Sequence, residues 1–232
     1  MFYKLFLVWL LCGFTSAMAQ DTSGSFSTEI TDKISYQYAL HKPTLETKKP
    51  LIVFLHGSGE RGSNIEKVKV HGPFKYLKQN TLDAFVLAPQ CQENRYWESK
   101  SLFVLIQKIC DENPNIDKNR IYLTGLSMGA WGAWNLAFTY PESFAALVPI
   151  AGFVDRVPMI ENCKIKNIPT HIFHGLLDDV VKVEYAMEIY KKLKPCSVFV
   201  ELTIFDDANH DSWSKVYDNP SIYEWMFAQK KQ

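Results

Sequence analysis

Residues 120–134 read RIYLTGLSMGAWGAW, and the order of residue types in this stretch decides the fold. Ile121 to Thr124 is a short apolar run of the kind that forms a strand buried on both faces. Met128 to Phe138 follows with a helical pattern whose small residues, Ala130, Gly132 and Ala133, allow close packing. Between them lies Gly125-Leu126-Ser127-Met128-Gly129, a G-x-S-x-G pattern. Flanked by a strand and a helix, that pattern describes a turn too tight for side chains two residues before and after the serine. Such a turn holds the hydroxyl clear of the backbone at a helix N-terminus. A serine that merely caps the helix is the competing reading.

Outward from this turn, strand-like and helix-like segments alternate. Strands are expected at Ile34–Leu40 (on a half-exposed edge), Pro50–His56, Ala84–Ala88, Ala145–Ile150, Thr170–Phe173 and Val198–Phe205. Helices are expected from about Ser101 to Asp111, with Leu102, Leu105, Ile106 and Ile109 on one face, and from Val183 to Leu193. A last one is expected from Tyr217 to Ala228, interrupted by Asn219-Pro220. Alternation of this kind predicts an α/β fold: a mostly parallel sheet covered by helices on both faces, with chemistry at the carboxyl ends of the strands.

A serine hydroxyl needs a base beside it to act as a nucleophile at neutral pH. Six histidines are present, of which His171, His174 and His210 follow Ser127. His171 and His174 lie in or at the end of a strand, with no room for an intervening acid from an earlier strand end. His210 sits in the polar loop 206–211 after the last strand, which makes it the candidate base. The acid should come from the preceding strand's loop, where Asp178 is chosen and Asp179 is the alternative. Asp206 and Asp207 read as turn formers. Oxyanion donors are expected from the backbone N–H of Met128 and from the glycine-rich loop 57–62, at Ser58 or else Gly59. Glu60 and Arg61 either pair to shape that loop or are solvated. Because His210 must be neutral to act, activity is expected to fall below about pH 6–7.

Composition narrows the rest. The chain has 232 residues, 25 Lys plus Arg against 25 Asp plus Glu, and no basic run, which excludes a nucleic-acid surface. Lys4, the apolar run Leu5–Phe14 and Ala17-Met18-Ala19 predict an export signal over residues 1–19, cleaved before Gln20. The run is about half the ~20 residues that cross a bilayer. Cys12 lacks the small residue before it that lipid attachment requires. A flexible lead-in over 20–28 and one catalytic domain over 29–232 complete the expected organisation. The destination is secreted or periplasmic, with no membrane contact after cleavage. In an oxidising compartment Cys91, Cys110, Cys163 and Cys196 can pair in three ways, or remain as buried thiols. No metal-ligand spacing is present, and no metal or organic cofactor is implied.

The stretches HGSGERG (56–62), LAPQC (87–91), RIYLTGLSMGAWGAW (120–134), HGLLDDVV (174–181) and NHDSW (209–213) resemble the compact secreted esterases of the α/β-hydrolase superfamily. Within it they are similar to dienelactone-hydrolase-like, phospholipase/carboxylesterase-like and feruloyl- or acetyl-xylan-esterase-like proteins. The resemblance implies Ser127, Asp178 and His210 as a triad, oxyanion donors from the HG-x-G loop, and cleavage of a small or polysaccharide-attached ester. Two departures leave the triad untouched: Leu176-Leu177 where relatives often carry polar residues, and Lys182 where a proline often follows. The sixteen residues from Gly152 to Asn167 leave no space for the large lid of many lipases, so an open site is expected. Aromatics near the mouth suit a sugar or phenolic acid. For Trp97 and Trp213, substrate contact and ordinary packing are both open; for Trp131 and Trp134, packing is the expectation. The rivals are a peptidase related to prolyl oligopeptidase and a non-catalytic carbohydrate-binding homologue.

Overall fold

The computed structural model describes Ser25 and residues 33–44 and 47–231. The expected leader over 1–19 and the lead-in over 20–28, Ser25 apart, lie outside the described residues. Strands form where the apolar runs were read: β1 (Gln37–His41), β2 (Lys49–Leu55), β3 (Phe85–Gln90), β4 (Ile116–Leu126), β5 (Ala146–Ile150), β6 (Thr170–Gly175) and β7 (Val200–Phe205). They make one sheet in the order β1-β3-β2-β4-β5-β6-β7. Only β1 runs antiparallel, on β3, and it sits at an edge as expected; the other pairs are parallel.

Alternation along the central strands feeds two cores. Leu51, Val53 and Leu55 of β2 point to one face, and Ile52 and Phe54 to the other. The first face packs under α2 (Ser99–Glu112), α3 (Met128–Thr139) and α5 (Val183–Leu193). The second is covered by residues around α1 (Gly72–Tyr76) and by α6 (Trp213–Tyr217) and α7 (Ser221–Phe227). The short α4 (Arg156–Ile160) and a 3-10 turn (Asn162–Ile165) occupy the segment between β5 and β6, and no lid domain stands there.

Three expectations need correction in detail. β4 begins five residues earlier than expected because the polar stretch Ile116–Arg120 still pairs: Lys49 N donates to Asn115 O at 2.8 Å and Arg120 bridges Asp117 at 2.8 Å. The last helical stretch begins earlier than expected, at Trp213, while the expected interruption at Asn219-Pro220 divides it in two, with Asn219 Oδ1 accepting Ser221 N–H at 3.0 Å. The helix α1 and the 3-10 turns Ser58–Glu60 and Ile65–Lys69 were not anticipated. Of the four candidate cysteines, Cys163 and Cys196 form a disulfide that ties the Asn162–Ile165 turn to the loop after α5, while Cys91 and Cys110 are free and buried. By chain entropy alone, a bridge across 33 residues stabilises by about 3–4 kcal/mol.

Candidate active site

The turn after β4 sets the geometry. Ser127 has φ 52° and ψ −120°, a backbone conformation that L-residues rarely adopt, and its N–H donates to Ile150 O at 2.9 Å. The strain is held because α3 and β2 are in near contact there: a Cβ on Gly129 would lie 1.9 Å from Leu55 O. The serine therefore projects above the carboxyl end of β4, partly exposed.

The expected base and acid converge on it. His210, in the loop after β7, brings Nε2 to 3.0 Å from Ser127 Oγ, and its Nδ1 lies 2.8 Å from Asp178 Oδ2. A carboxylate only accepts, so the proton rests on Nδ1, and Nε2 is left to accept from the serine hydroxyl. Asp178 is buried, whereas Asp179 is exposed beside it. Burial pushes the Asp178 carboxyl up. The hydrogen bonds from His210 and from the N–H groups of Val181 (2.8 Å) and Val180 (2.9 Å) outweigh that and hold it below the usual carboxylate range. Gly175 makes this meeting possible, because a Cβ there would strike Asn209 O at 2.3 Å and Ala208 O at 2.4 Å. Asp207 pairs with Lys215 at 2.8 Å, outside the site.

Two histidines that the sequence reading passed over hold this arrangement. His174 is fully buried; its Nε2 donates to Val181 O at 2.7 Å and lies 3.1 Å from Asp178 Oδ2, bracing the acid from behind. Burial lowers its pKa. His56 is likewise buried. Cys91 N–H donates to its Nε2 at 3.0 Å, so Nδ1 carries the proton and donates to Gly57 O at 2.6 Å. With that carbonyl pinned, the N–H of Ser58 points the opposite way. The peptide lies beside the serine, since a Cβ on Gly57 would be 3.6 Å from Ser127 Cβ. Met128 begins α3, so its N–H is one of the helix donors without an intrahelical partner. The signal that would have found both histidines is an HG dipeptide at the end of two strands, His56-Gly57 and His174-Gly175.

Burial lowers the His56 pKa to about 4, aided by the Arg61 charge and opposed by the Gly57 hydrogen bond. Between the ordinary imidazole value near 6.5 and that folded value, the unfolded chain binds the proton and the folded one does not. Stability contributed by neutral His56 is thus full above about pH 6.5 and is lost as pH falls toward 4, by about 3 kcal/mol. Thermal unfolding followed by circular dichroism should show Tm dropping across this window in wild type. The drop should be smaller in His56→Gln, and an equal drop in both would sink the assignment.

The flanking residues divide. Glu60 does not pair with Arg61. Its carboxylate lies 3.8 Å from both His56 Nδ1 and His71 Nε2, while Arg61 Nε donates to Ser58 O at 3.0 Å and shapes the loop. Trp97, read as a possible substrate contact, is a core residue instead. It is 4% exposed, its Nε1 donates to His56 O at 3.2 Å, and its ring fills the space that Gly132 of α3 leaves. Trp213 is half-buried, edge-on to the His210 ring at 5.1 Å and near His71 at 5.8 Å, so it borders the site. Trp134 is core, as expected, but Trp131 is not wholly so: it meets Tyr96 and Phe153 at the surface. Among the described residues no cluster of three or more His, Cys, Asp or Glu could hold a metal.

Comparison with known proteins places these features in context. The family described as phospholipase/carboxylesterase matches residues 83–219. Poly(3-hydroxyalkanoate) depolymerase C of Paucimonas lemoignei is 30% identical over 135 residues, 53% of this chain and 32% of that protein. Lysophospholipase-like protein 1 of Mus musculus is 24% identical over 69% of this chain and 79% of its own length. Among solved structures, a thermostable esterase superposes with TM-score 0.71 at 34% identity, over 83% of this chain and 59% of that one. An acylaminoacyl peptidase of Pyrococcus horikoshii, at 16% identity and TM-score 0.67, shares the fold. The chain thus spans about a third of the depolymerase and 59% of the esterase.

Proposed function

The chain belongs to the phospholipase/carboxylesterase family of the α/β-hydrolase fold, and from that premise we propose that it is an exported serine esterase. In this reading Ser127 attacks the ester carbonyl while His210 takes its proton, Asp178 stabilises the imidazolium, and the N–H groups of Met128 and Ser58 receive the oxyanion. The alcohol leaves with the proton from His210, and water then hydrolyses the acyl-enzyme. The observation that carries the reading is the unbroken relay from Ser127 Oγ through His210 to Asp178, at 3.0 and 2.8 Å. The proposed substrates are acetyl or feruloyl esters on polysaccharide side chains; the short segment between β5 and β6 and the aromatic surroundings support this. The proposed export finds support in the Cys163–Cys196 disulfide, a bond that persists in oxidising compartments.

Two measurements test the proposal. A fluorophosphonate probe should label the protein once per chain, and peptide mapping should find the label on Ser127; a label elsewhere, or none, would overturn it. Asp178→Asn should lower kcat/KM on p-nitrophenyl butyrate about 10³–10⁴-fold by allowing the wrong imidazole tautomer. Asp179→Asn, exposed and outside the relay, should stay within a few-fold of wild type. Equal losses in the two variants would remove Asp178 from the proposed triad.

A further inference from the structure

One surface feature is not used by the proposed chemistry. Tyr96, Trp131, Phe153 and Tyr185 stand in a row, with successive ring centroids 5.9, 6.4 and 6.1 Å apart. They come from four segments: the loop after β3, the first turn of α3, the loop after β5 and the first turn of α5. Tyr96 is 67% exposed, Phe153 36% and Tyr185 45%, far from the burial usual for aromatic rings in a core. The row passes over the nucleophile's own helix, where the backbone N–H of Trp131 donates to Ser127 O at 3.2 Å. At its far end Tyr185 enters a groove of about 410 Å³ shared with Val154, Arg156, Met159 and Glu188.

The polar groups along the row say what it suits. The Arg61 guanidinium lies over Tyr96 at 5.8 Å. Asp155 Oδ2 accepts from Trp131 Nε1 at 2.9 Å and Asn135 Nδ2 at 3.1 Å, which fixes the indole plane and leaves an anionic acceptor beside it. Apolar ring faces interleaved with a cation, a carboxylate and phenol hydroxyls match a ligand whose units present both C–H faces and hydroxyl groups. An acyl chain or an aliphatic polyester offers no donor to Asp155. We infer that Tyr96, Trp131, Phe153 and Tyr185 form a binding row for the glycan chain that carries the scissile ester. The inference rests on the esterase reading and adds to it a reason for acting on polymers: the chain lies along the row while its ester side group reaches Ser127.

Binding can be read separately from catalysis. Ser127→Ala protein run in native gels containing soluble arabinoxylan should be retarded. The same protein with Tyr96→Ala, Phe153→Ala and Tyr185→Ala added should lose at least ten-fold in apparent affinity. Tyr38→Ala, an exposed aromatic on edge strand β1 that takes no part in the row, serves as control and should keep the retardation. On the wild-type serine, the triple variant should lose at least ten-fold more kcat/KM on acetylated xylan than on p-nitrophenyl acetate. No retardation of the parent, retardation that survives the triple substitution, or capture on a polyester film but not on xylan would each overturn the row as a glycan site. If the wild type turns over no ester yet is retarded through the row, the esterase reading falls and the row stands.

Discussion

Ser127→Ala should reduce kcat on p-nitrophenyl butyrate by about 10⁵–10⁶-fold, with the fold intact. In the proposed mechanism the hydroxyl forms the acyl bond; it lies 3.0 Å from His210 Nε2, and His210 Nδ1 is held in turn 2.8 Å from Asp178. Alanine accepts the φ of 52° no worse than serine does, so the turn should survive and Tm should stay within a few degrees. Residues that act as one unit lose their effect together. Ser127→Ala combined with His210→Ala should therefore be no slower than Ser127→Ala alone. Stepwise, additive losses would mean that the two side chains do not share a reaction step. Activity retained within ten-fold in the single variant would move the chemistry elsewhere.

Gly129→Ala should cost the fold itself. The added methyl would lie 1.9 Å from Leu55 O, 2.4 Å from Leu55 C and 2.6 Å from His56 O. All three are backbone atoms, and β2 is a central strand whose residues from Pro50 on are buried. Relief would need α3 to lift off the sheet or β2 to shift with the His56-Gly57 peptide attached. We expect a loss of more than about 4 kcal/mol in urea denaturation, or insoluble protein. A variant that unfolds at the wild-type midpoint with wild-type kcat would show that α3 and β2 are not in the contact described.

Much of this was legible in the sequence because the decisive residues are constrained locally. Gly125-Leu126-Ser127-Met128-Gly129 announces its turn by what it lacks, and His210 stands alone in a polar loop after the last strand. Asp178 was read ahead of Asp179, and the physical ground for that order appears only in the fold. Adjacent residues differ in which way the chain presents them, and here one carboxylate turns inward to two backbone N–H groups while its neighbour meets solvent. His56 and His174 were passed over for a related reason: the HG dipeptides mark their places, but what their ring nitrogens touch is settled only by the fold. Trp97 stayed open between substrate contact and packing because sequence says nothing about direction; the space above Gly132 took the ring inward. Trp131 shows the converse, a helix residue assigned to packing whose edge forms part of the surface row.

The two unpaired cysteines bear on the permanence of the bridge between the other two. Exchange of disulfide partners needs a thiolate to attack, and burial pushes the Cys91 thiol up to about 11 and raises Cys110 as well. The Cys91 thiolate is thus disfavoured at neutral pH, and its Sγ–H is further engaged with Arg95 O at 3.4 Å. Among the described residues, neither free thiol is therefore a ready attacker of the Cys163–Cys196 bond. Both thiols sit in the core, so exchange with the bridge is expected to require that core to open.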